Sequence, residues 1–125
     1  MEENGLATDI IGAAIEVHKQ LGPGLLESVY RDCMVYELNL REISVVREVS
    51  VPVRYKGIEF SAAYRADLVV ADKVIVELKA VDILLPVHAA QLLSYLRISG
   101  RRLGLLINFN VSQLRDGIKR IVNQL

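Results

Sequence analysis

A single cysteine, no tryptophan and only three prolines leave this 125-residue chain with few covalent or conformational restraints. Cys33 alone can make neither an internal disulfide nor a four-ligand zinc site, so a reducing compartment is the simplest reading. The start Met1-Glu2-Glu3-Asn4 lacks a basic stretch followed by an apolar one, which argues against secretion. No apolar run approaches the roughly 18 residues of a membrane-spanning helix. A soluble, cytoplasmic protein with no membrane partner is expected. The length suits one domain over residues 1–125, large enough to bury a core without staples. A positive mean hydropathy of 0.31 then speaks for a large core or a buried interface, the latter most simply in a two-fold homodimer with a short acidic N-terminal arm.

Net charge is also absent, with 15 basic and 15 acidic side chains, yet the signs are unevenly spread. Residues 1–85 carry 9 basic and 14 acidic groups, whereas residues 86–125 carry six basic groups against Asp116 alone. That asymmetry suits a polyanionic partner, and it equally suits a solvated basic helix face.

Periodicity supplies the elements. Thr8 is a candidate N-cap for a first helix, in which Ile11, Ala14, Ile15 and His18 recur at helical spacing to about Leu21. Gly22-Pro23-Gly24 ends it, and a second helix runs from near Leu26 to Leu40 with Glu27 in its first turn. Val45 to Tyr55 alternates as a strand does, with Pro52 marking an edge or a bulge. Further strands are expected over Glu59–Val70 and Lys73–Val81, the latter apolar enough to be central. Pro86 opens a third helix, Leu103–Phe109 forms a short buried strand, and Ser112 caps a last helix carrying Leu114, Ile118, Ile121 and Val122 inward. The order ααβββαβα describes an α/β or α+β fold, a sheet covered by helices.

Asp67 and Glu77-Leu78-Lys79 flank the most informative turn. If Ala71-Asp72-Lys73 reverses the chain, Asp67 lies opposite Glu77, and Lys79, two residues on, shares its face. Two opposed carboxylates in an apolar strand pair are costly unless a cation compensates them. Mg²⁺, which takes one or two carboxylates and keeps waters for a phosphate, matches that donor set.

These residues resemble the signature of the PD-(D/E)XK nucleases, with Ala66 where the signature has proline. Gly24-Leu-Leu-Glu27-Ser-Val-Tyr30 is similar to the motif of the bacterial GxxExxY proteins, a branch of that superfamily, and Gln91-Leu-Leu-Ser-Tyr95 is similar to the QxxxY helix of its RecB-like members. The resemblance spans residues 18–110. It implies a restriction-endonuclease-like core, a mixed sheet with helices on both faces, and hydrolysis of a nucleic-acid phosphodiester, with DNA ahead of RNA. It further implies that Asp67, Glu77 and the Leu78 carbonyl hold Mg²⁺ or Mn²⁺, joined by Glu27 directly or through water. Lys79 would activate the attacking water, and Gln91 and Tyr95 would position the scissile strand or Lys79.

Plainer readings stand beside these. Glu77 and Lys79 suit a surface ion pair at a strand end, and Tyr95 suits simple packing. Tyr30, His18, Cys33 and Met34 suit core positions, Gly24 an unusual backbone angle, and His88 has no evident partner. A nucleic-acid-binding or protein-interaction module that keeps the fold without turnover is the alternative function. An enzyme acting on a small phosphorylated molecule is a third.

Overall fold

The protein is described here by a computed structural model, which covers residues 2–125, with Ala62 and Ala63 described in their backbone alone. Helix α1 (Glu3–Leu21) starts five residues before Thr8, because Glu2 is its N-cap and accepts the Gly5 N–H at 3.2 Å. Thr8 sits inside the helix, its hydroxyl donating to the Asn4 carbonyl at 3.2 Å. The acidic start from Glu2 is therefore the cap and first turn of a helix rather than a free arm, and Met1 lies outside the described residues. Gly22 ends α1 with φ 69, and α2 (Glu27–Leu40) begins after the Gly-Pro-Gly turn.

Strand β1 (Val45–Tyr55) turns through Lys56-Gly57 into β2 (Ile58–Val70), followed by β3 (Val74–Lys79). Helix α3 (Pro86–Ser99) crosses over to β4 (Leu103–Asn108). The five-stranded sheet has the order β1-β2-β3-β4-β5, parallel only between β3 and β4. Pro52 sits where the register of the edge strand β1 shifts between Val51 and Val53, as its missing N–H requires.

The expected last helix is the one element that differs. A 3₁₀ turn at Leu114–Gly117 leads into a strand, β5 (Ile118–Val122), antiparallel to β4. Ile118 packs toward α1 and α2 while Ile121 packs toward α3, an opposition that a strand produces and a helix does not. Strand β4 is wholly buried, so its second edge needs a backbone partner. Gly117 lets the chain reach that edge, since a Cβ there would come within 2.2 Å of the Asn108 carbonyl oxygen.

Helices α1 and α2 cover one face of the sheet, burying Ile10, Val17, Tyr30 and Met34 against Leu68, Val76, Leu105 and Phe109. Helix α3 covers the other with Leu92, Tyr95 and Leu96 on Val69, Ile75 and Leu106. Among the described residues no helix is long and apolar enough to cross a membrane.

Candidate active site

The site arises where two strands part. The β2–β3 ladder follows the expected register, Val70↔Val74 to Leu68↔Val76, and stops there, although β3 continues beside β4 to Lys79↔Asn108. One position farther out stand Asp67 and Glu77. Asp67 replaces the lost backbone pairing with its side chain, Oδ2 accepting the Leu78 N–H at 2.8 Å. Its Oδ1 accepts from Arg31 of α2 at 3.3 Å, and Arg31 also reaches Glu48 at 3.7 Å. The β1–β2 ladder skips Glu48, whose backbone has φ 54.

Glu77 is 7% exposed, and its Oε1 is buried with no hydrogen-bond partner. Burial, with the neighbouring Asp67 charge and a shared hydrogen bond next in importance, pushes its pKa up to about 9, and Lys79 opposes the shift only in part. Without a cation the pair therefore holds a proton near neutral pH. Lys79 makes no ion pair among the described residues. Just beyond it, the Phe109 N–H donates to the Lys79 carbonyl at 2.9 Å. Buried Asn108 clasps both backbone groups of Val81 at 2.9 and 3.1 Å, so the end of β3 is held on its far side.

Glu27 enters from α2. Its approach is set by Tyr30, fully buried one turn later, whose hydroxyl donates to the Gly22 carbonyl at 2.6 Å and accepts the Leu25 N–H at 3.2 Å. Tyr30 thus ties down the turn in which Gly24 takes φ 98. Tyr30→Phe keeps the ring stack and removes both bonds. It is expected to lower stability by about 1–2 kcal/mol, read as a shifted urea midpoint at unchanged slope.

Helix α3 closes the site, opened by Pro86 and by His88 Nδ1, which accepts the Leu85 N–H at 3.0 Å. Gln91 and Tyr95 are one turn apart on the same face. Tyr95 is almost buried, and desolvation, reinforced by the Glu77 charge, raises the pKa of its hydroxyl, which stays a donor. All six anticipated side chains, Glu27, Asp67, Glu77, Lys79, Gln91 and Tyr95, line one polar cavity of about 140 Å³, together with Arg65, His88 and Leu92. A larger groove of about 290 Å³ between α1 and α2 exposes mainly apolar surface, and the charged residues at it, Glu16, Asp32 and Glu37, are all acidic, with no lysine or arginine in its lining.

Sequence reasoning missed Arg31 and Arg65, and it left His88 without a partner. Arg31 stands four after Glu27 on one helix, Arg65 two before Asp67 on one strand, and His88 three before Gln91, so each spacing was visible. What was not visible is that Arg31 meets Asp67. Glu27 shares the cavity, yet among the described residues no three acidic, histidine or cysteine side chains cluster tightly enough to hold a metal alone. His18 lies elsewhere, its Nε2 2.8 Å from the Val111 carbonyl and its ring near Phe109. The basic C-terminal third is partly occupied as well: Arg101 holds Asp72, Arg102 the Gln124 carbonyl and Arg120 the Asn4 side chain.

A mixed sheet with helices on both faces, carrying Asp67 and Glu77-Leu78-Lys79 on adjoining strands, is consistent with the restriction-endonuclease-like fold. A sequence profile described as the PD-(D/E)XK nuclease superfamily matches residues 4–121, and the chain belongs to that superfamily. No curated protein and no solved structure matches it.

Proposed function

We propose that the chain is a metal-dependent nuclease, one nuclease-like domain of the GxxExxY branch, acting on DNA in preference to RNA. The observation that carries this reading is the buried, unpartnered Oε1 of Glu77 beside Asp67 and Lys79. A buried carboxylate oxygen without a donor is costly, and a hard divalent cation is the partner that suits it. Asp67, Glu77 and the Leu78 carbonyl would hold Mg²⁺ or Mn²⁺, with Glu27 joining directly or through water. Such an ion, when bound, supplies a water of lowered pKa and neutralises phosphate charge.

The chain's own groups do the rest. Lys79 orients the attacking water and steadies the charge developing on the phosphate. Gln91 and the protonated Tyr95 hydroxyl hold the scissile strand, and Arg65 adds a cation at the same cavity. Cytoplasmic residence fits the lone free thiol of Cys33, and the exposed apolar groups of β1 and β2 fit pairing of two copies.

Single- and double-stranded DNA and RNA, incubated with Mg²⁺, Mn²⁺ or EDTA, test the reading. Cleavage is expected with either metal and none with EDTA. Binding without cleavage under every metal would favour a non-catalytic nucleic-acid module. One feature speaks for that alternative: both oxygens of Asp67 are already engaged, by Arg31 and by the Leu78 N–H.

A further inference from the structure

A second cavity, of about 340 Å³, adjoins the polar one and shares Gln91 and Tyr95 with it. Apart from Ser94, whose hydroxyl donates to the Ala90 carbonyl, its other walls are apolar, formed chiefly by Val53 and Tyr64 of the β1–β2 hairpin and by Val87 and Ile98 of α3. Three of these large apolar groups stay in contact with solvent, Tyr64 at 43%, Val87 at 52% and Ile98 at 41% exposure. The Tyr64 ring leans on Tyr95 at 5.3 Å and 46°, so it is braced from inside while part of it remains open. An exposed aromatic wall against a site built for phosphodiester chemistry needs a partner that is charged at one end and flat and apolar at the other.

We infer that this cavity takes an unpaired nucleobase of the substrate strand, neighbouring the phosphate held among Asp67, Glu77 and Lys79. The inference rests on the nuclease reading for its phosphate and adds the form of the substrate. The faces of the bases are the only extensive apolar surface of a nucleic acid, and a duplex hides them in its stack. A base can reach Tyr64 only from a single strand or a frayed end. The Gln91 amide, at the junction of the cavities, offers both a donor and an acceptor to a base edge. The size of the cavity lies within the range of small-ligand sites.

The test uses fluorescence anisotropy with a labelled 12-nucleotide DNA strand, alone or in a blunt duplex, at fixed salt and in EDTA so that turnover is blocked. The single strand is expected to bind at least about tenfold tighter than the duplex, and Tyr64→Ala to lose about tenfold on the single strand alone. Tyr64→Phe keeps the ring and should bind like wild type. Neither change alters charge, so the phosphate contribution is constant. Ile98→Glu, at the exposed rim, should weaken single-strand binding by a second route, and thermal melts of each variant verify folding.

Equal affinity for strand and duplex, or a Tyr64→Ala protein that binds the strand like wild type, would overturn the inference. If cleavage with metal persists in that case, the nuclease reading survives without the base subsite. If the strand preference depends on Tyr64 but nothing is ever cleaved, the subsite stands and catalysis falls.

Discussion

Lys79→Ala is expected to lower phosphodiester hydrolysis by about 10²–10³-fold, the usual cost of removing one preorganised charge from a transition state. Metal affinity should stay equal or rise slightly, because an ammonium has no lone pair for a cation and repels it. Lys79 ends β3, which continues beside β4 past the β2–β3 separation, and no ion pair among the described residues draws its charge away. Lys79→Arg should not restore the rate, since a planar guanidinium cannot put a compact charge at the same point. Single-turnover cleavage of a labelled oligonucleotide, with calorimetric titration of Mn²⁺, separates the two effects. An undiminished rate in Lys79→Ala would place the cleavage outside this cavity.

Glu77→Gln should remove the pH dependence that Glu77 gives the metal-free protein. The unfolded chain ionises Glu77 near its ordinary value of 4.5, whereas the folded protein keeps the proton to about 9. Between those values the folded state binds more protons than the unfolded state. Stability from this group is therefore complete below about 4.5 and is lost as pH rises toward 9, by on the order of 1 kcal/mol per pH unit at most. Glutamine removes the titration, so the variant should gain on wild type steadily from pH 5 to pH 8.5 in EDTA, measured by urea unfolding. Metal binding inverts the outcome. Wild type should release close to one proton per cation at pH 7, seen as a buffer-dependent binding heat, and Glu77→Gln should bind weakly with no such release. A wild-type protein with no fall in stability over this window would show that Glu77 is already ionised when folded.

Most of this site could be read before any coordinates, because its geometry is local to a hairpin. Asp72 as the midpoint of a tight turn places Asp67 beside Glu77, and the observed pairs Leu68↔Val76 and Val70↔Val74 keep that register. Helix spacing likewise brought Gln91 and Tyr95 together, and both line the cavity. The failures are tertiary. Ile118, Ile121 and Val122 sit at i, i+3 and i+4, which fits a helix face, but the unpaired edge of β4 outweighs that pattern and draws the segment into the sheet. Arg31 was hidden for a similar reason, since its carboxylate partner Asp67 lies 36 residues away. The arginines near the C-terminus looked available for phosphates, and only the folded chain reveals that Arg101, Arg102 and Arg120 are tied to the protein itself.

The stack of Tyr30 on Phe109, centroids 4.4 Å apart and nearly parallel, joins two supports of the site that come from different elements. Tyr30 fixes the turn that delivers Glu27, while the Phe109 amide holds the carbonyl of Lys79. Two rings in van der Waals contact act as a rigid spacer with no adjustable linker, so the gauge between the acid on the helix and the lysine on the strand is machined into the core. Trimming either ring alters that gauge without touching the cavity wall.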